Sequence, residues 1–128
     1  MSNADILRNA RNILLKLHKA MMDHERELYE GIHGPQGPAQ FLNVLLEDED
    51  FSWLRKFSML IVEIDEMFDL KDGISAELVN ANLAKIRELI DMKEDDEFFR
   101  AKYQFALQRF PEVVGLQSEL RQIISAVS

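Results

Sequence analysis

Apolar side chains recur three and four positions apart along the whole chain, and nowhere do they alternate with polar ones over a useful length. That spacing gathers apolar groups on one side of a helix and scatters them on a strand, so it restricts the chain to helices packed on helices. Ile6, Ala10, Ile13, Leu14, Leu17, Met21 and Leu28 form one stripe, which predicts a first helix capped by Ser2 or Asn3 and running to about Tyr29. Gly31 is expected to end it, with Gly34-Pro35-Gln36-Gly37-Pro38 as a rigid connector. Pro38 suits the first position of a short second helix through Phe41, Leu42, Leu45 and Leu46.

The acidic run Glu47-Asp48-Glu49-Asp50 breaks that helix, and Asp50 is expected to cap the next. The third segment, about Phe51 to Phe68, carries apolar residues over more than half its circumference, including Trp53, Leu54, Phe57, Leu60, Ile61, Val62 and Ile64. A helix of that kind is central and buried on several sides. Ser75 caps a fourth helix with Leu78, Val79, Leu83, Ile86, Leu89 and Ile90 on one face. A fifth runs from about Glu97 to Phe110, and Pro111 opens a sixth bearing Val113, Leu116, Leu120, Ile123, Ile124 and Val127. The expected fold is therefore all-α, an antiparallel bundle of about six helices. The first, third, fourth and sixth form its frame, the second is a crosspiece, and the fifth packs beside the last. The 128 residues suit one domain, 1–128.

Composition removes several classes of function. The net charge is −8, and basic residues concentrate only at Arg8, Arg11, Lys16 and Lys19. Nucleic acid and anionic membranes, which need clustered cations, are not expected partners. The longest aliphatic or Met run, Met59-Leu60-Ile61-Val62, is far too short to span a bilayer, and no apolar leader is visible at the start. Cysteine is absent, so there is no disulfide or thiolate site, which fits a reducing compartment; a cytoplasmic location is expected.

Phe51-Ser52-Trp53-Leu54-Arg55, followed by Ser58, Leu60-Ile61-Val62 and Ile64-Asp65-Glu66, gives an F-x-W-L-R-x-x-S-x-L-I-V-x-I-D-E stretch. In it the chain resembles a group of small uncharacterised bacterial all-helical proteins. The resemblance implies a bacterial helical protein and carries no activity.

Motifs for chemistry are sparse. No nucleophile elbow, P-loop or dinucleotide fingerprint occurs, so no catalytic residues and no cofactor are assigned. Glu30-Gly31-Ile32-His33 has the Glu-x-x-His spacing of di-iron bundles, but it has no second copy and sits at a helix end. His18 falls on the polar side of the first helix and is expected in solvent. Glu63, Asp65, Glu66 and Asp69 form an acidic cluster without a calcium-loop pattern, and no metal site is assigned.

Four polar residues nevertheless fall inside apolar arcs: His24, Ser58, Asp65 and Asn82. Buried polar groups need partners, a carboxylate most of all, so Asp65 is expected to be mostly buried against a helix N-terminus, His24 or an Arg. The four either fix helix register or line a polar pocket for a small ligand or ion. The fifth helix has an inner face of Phe99, Tyr103, Ala106, Leu107 and Phe110 and a second face of Phe98, Ala101 and Phe105. That second face either completes the core or forms an interface. As an interface it would lie against its own copy across a two-fold axis, with Lys102 and Arg109 meeting residues such as Asp95 to Glu97. The leading expectation is thus a non-enzymatic interaction module, a homodimer or a binder of a protein partner. The alternative is a ligand- or metal-binding bundle built on the four inward polar residues.

Overall fold

A computed structural model describes residues 1–127. Six α-helices follow one another: α1 (Asn3–His33), α2 (Pro38–Glu47), α3 (Arg55–Phe68), α4 (Ala76–Ile90), α5 (Glu97–Arg109) and α6 (Pro111–Ile124). A 3-10 helix, Glu49–Leu54, leads into α3. No strand occurs among the described residues.

The helix ends follow side-chain chemistry. Ser2 Oγ accepts the Asp5 N–H at 3.1 Å, and the Asp5 carboxylate accepts the Ser2 N–H at 3.4 Å, a reciprocal cap for α1. Ser75 caps α4 through the Leu78 N–H, and Asp96 caps α5 through the Phe99 N–H. Pro38 and Pro111 open α2 and α6, where a missing N–H costs nothing.

Two boundaries depart from the sequence reading. Gly31 does not end α1; the helix continues to His33 and stops at Gly34, whose φ of 84° is open to glycine without strain. A glycine inside a helix only weakens it, whereas the reversal needs a positive φ, and that falls at Gly34. Asp50 does not cap the third segment either. Asp48 accepts the Asp50 N–H at 2.9 Å and starts the 3-10 turn instead, delaying α3 to Arg55.

Side-chain pairs fix the topology. On α1, Arg8 and Arg11 reach Phe68 and Asp65 at the end of α3, while Tyr29 meets Phe51 just before its start. The two helices are antiparallel. Along α3 and α4, Met67 meets Asn82, Glu63 meets Lys85 and Lys56 meets Glu94, again antiparallel. His24 of α1 faces Phe110 and Glu112 at the start of α6, and Arg87 of α4 reaches the Ile124 carbonyl at its end. So α1, α3, α4 and α6 form an up-down-up-down frame. α5 folds back on α6 as a hairpin, Tyr103 donating to Gln117, and it also packs on the 3-10 helix and on Phe57 in the first turn of α3.

The core runs through the frame as Leu7, Leu14, Leu17, Phe57, Ile64, Ile86, Val113 and Leu120, all fully buried. At one end it becomes aromatic, with Trp53, Phe57, Phe99 and Tyr103 mutually within 6.4 Å of ring centres. Among the described residues no helix is long and apolar enough to cross a membrane.

Leu28, assigned to the core stripe, is instead exposed. α6 begins beside His24, so α1 runs past it, and beyond Glu25 it meets α2 and the 3-10 helix, Arg26 over Phe41 and Tyr29 against Phe51. Val62 and Leu78 are also exposed, because α3 and α4 sit at the rim of the frame rather than inside it.

Candidate functional site

The four inward polar residues do not converge. Asn82 is 3% exposed; its Nδ2 donates to the Leu78 carbonyl at 3.1 Å and to Met67 Sδ at 3.4 Å. Its Oδ1 has no hydrogen-bond partner among the described residues. Asp65 takes a two-pronged contact from Arg11, Nε to Oδ1 and Nη2 to Oδ2, both at 2.8 Å. An Arg is the partner, but the burial expected of Asp65 is wrong: its side chain is 45% exposed and that of Arg11 27%. α3 turns Asp65 toward the edge of its contact with α1, where a long side chain reaches it from solvent.

Ser58 is half-buried, and its hydroxyl donates to the Arg55 carbonyl at 3.2 Å, one turn back on its own helix. His24 stacks flat on Phe110, centroids 3.9 Å apart and planes 6° from parallel. Its Nε2 lies 3.5 Å from Glu112, and its Nδ1 3.9 Å from Glu27. His24 thus seals the junction of α1 with α6 and does not pair with Asp65. Each of the four has its own surroundings, and no single cavity collects them.

Glu30 and His33 also part company. Glu30 accepts the Gln36 N–H at 2.6 Å and lies 3.5 Å from Arg26, whose Nη2 donates to the Gln36 carbonyl. The carboxylate clamps the Pro-Gly connector to α1, while His33 packs its ring on Tyr29. In the acidic cluster, Glu63 pairs with Lys85 and Asp65 with Arg11. Among the described residues no group of three His, Asp or Glu is placed to hold a metal ion.

The sequence reading missed one titratable group, Glu25, and misplaced another, His18. Glu25 is buried, and burial pushes its carboxyl pKa up, with Lys102 pulling it down and Asp50 pushing it further up. It lies four residues after Met21 and eight after Leu17, so the stripe itself pointed to it. His18 is half-buried rather than solvated, and burial lowers its pKa, which favours the neutral ring.

The surface offers more than the interior. α5 buries Phe99, Tyr103 and Ala106, while Phe98 and Phe105 stand 44% and 43% exposed with Ala101 between them. The second face of α5 therefore does not complete the core. Lys102 and Arg109 sit beside these two rings, each 5.8 Å from a centroid. Separately, α3 and α4 leave an open groove of about 830 Å3 between them. Met59 and Val62, 69% and 53% exposed, lie on its α3 side.

The chain matches no protein-family model, and no curated protein or solved structure matches it.

Proposed function

We propose that the protein is a non-enzymatic helical interaction module that associates with itself through the outer face of α5. One observation carries this reading: a peripheral helix that has already buried one apolar face presents two phenylalanines on the other. Apolar faces of that kind mark contacts, and aromatic residues beside cations are favoured at their centres. Lys102 and Arg109 keep the rings soluble in the free chain and become rim charges in a complex.

The stretch that carries the bacterial resemblance supports a role in folding. Its Trp53, Leu54, Leu60, Ile61 and Ile64 are all core, so a bacterial, cytoplasmic origin is proposed on that likeness and on the absence of cysteine alone.

Sedimentation velocity of the wild type beside Phe98→Glu/Phe105→Glu tests the proposal. The wild type is expected to associate at micromolar concentration, and the variant to sediment as a helical monomer by circular dichroism. A wild-type monomer, or a variant that associates equally, ends it.

A further inference from the structure

The α5 ridge needs a receiving surface, and the groove between α3 and α4 has the opposite character on two counts. The ridge is convex, the outer face of a helix whose other side is packed on the bundle. The groove is concave, with Met59 and Val62 on one wall and Leu89 on the other. Methionine is flexible enough to close around an aromatic ring.

Charge points the same way. α5 carries Arg100, Lys102 and Arg109 against Glu97. The groove is lined by Glu63, Glu66, Glu88 and Glu94 against two lysines. Both lysines are already engaged: Lys85 with Glu63, and Lys56 with Glu94 and with Asp96 at 3.4 Å. Glu66 and Glu88 have no salt-bridge partner among the described residues and face an incoming cation. Two ridges packed antiparallel about Ala101 would instead set Lys102 of one chain beside Lys102 of the other, a like-charge cost.

The two surfaces also adjoin. Lys56 ties the groove wall to the first turn of α5, bonding Glu94 and the cap residue Asp96 and lying 5.5 Å from the Phe99 ring. Phe98 follows directly. A two-fold axis near residues 94–98 would let each chain give its ridge and receive the other's in one continuous contact.

We infer that the groove lined by Met59, Val62 and Leu89 is the docking site for the Phe98–Ala101–Phe105 ridge of a second copy of this chain. The inference rests on the self-association proposed above and names its other half.

Complementation tests it. Phe98→Glu/Phe105→Glu removes the ridge and keeps the groove; Met59→Lys/Val62→Lys removes the groove and keeps the ridge. All four positions are exposed, so the helical signal is expected to persist. If either variant loses it, Phe105→Ser and Met59→Ser replace the pair. Each variant alone is expected to sediment as a monomer where the wild type associates, and an equimolar mixture to regain association. A groove variant that associates like wild type, beside a monomeric ridge variant, overturns the groove and leaves the α5 reading standing. The mixture keeps one of the two ridge–groove contacts and is expected to associate more weakly than wild type; a mixture that sediments as monomer even at millimolar concentration also overturns the groove. A wild-type monomer, or a ridge variant that still associates, overturns both.

Discussion

Glu25 shows how one carboxylate can oppose the fold that buries it. Burial raises its pKa in the folded chain, so the native state holds this proton more tightly than the unfolded state does. The stability it contributes is full below the unfolded pKa and is lost as pH rises through the folded value. At neutral pH the charged form is therefore a burden, only partly relieved by Lys102. Glu25→Gln is expected to raise the melting temperature near pH 7.5 and to have a much smaller effect near about pH 4, where the folded state holds the proton and the unfolded state mostly does. Thermal denaturation of the two proteins at both pH values checks this, and a variant less stable at the higher pH contradicts it. Asp65 is the converse case. Its fork to Arg11 is well aligned but half open to water, where charge pairs contribute little. Asp65→Ala is expected to cost about 1 kcal/mol or less by urea unfolding, and a loss of several kcal/mol would mean the pair is desolvated. That Asp65 needs a donor was legible in the sequence, with a helix N-terminus, His24 and an Arg all open as partners. Which donor was not, since Arg11 arrives through the register of α1 against α3. Glu25 was passed over for Leu28 because periodicity favours the apolar residue, and only the place where α6 begins decides between them.

Elements were legible wherever a short-range rule sets them. Ser2, Ser75, Pro38 and Pro111 are at helix starts, and the caps at Ser2 and Ser75 bond as their chemistry requires. Where two neighbours compete for one role, the sequence chose wrongly: Gly31 over Gly34, Asp50 over Asp48. In both cases the winner is set by a backbone dihedral or a 3-10 turn, which periodicity does not encode. The two faces of α5 were legible as faces, but whether the second was covered depends on where α5 sits on the bundle. Gly115 is a helical glycine of a plainer kind. It lies exposed in α6, and a Cβ there meets nothing within 4 Å. Gly115→Ala is expected to stabilise the protein by about 0.5–1 kcal/mol, by limiting the unfolded chain and improving helix propensity. Chemical denaturation measures it, and a destabilised variant would show that the outer face of α6 is not free.

At the scale of the whole molecule, association works against a net charge of −8. Treated as point charges about 30 Å apart in water, two such chains repel by about 9 kcal/mol before screening. At about 0.01 M salt the Debye length is near 30 Å and about 3 kcal/mol of that survives; at about 0.1 M it is near 10 Å and less than about 0.5 kcal/mol remains. The attraction between the basic ridge and the acidic groove is also screened, but exposed pairs contribute about 0–1 kcal/mol each, and they act at contact distance where screening is weakest. The long-range repulsion therefore changes more with salt than the local attraction does. Self-association is expected to strengthen as salt rises from about 0.01 to about 0.15 M. Lowering the pH toward the sequence pI of about 4.8 should act in the same direction while the fold persists. A sedimentation series at fixed protein concentration reads this directly. Association strongest at the lowest salt would mean that the contact is held mainly by charge, and that the exposed phenylalanines of α5 are not its centre.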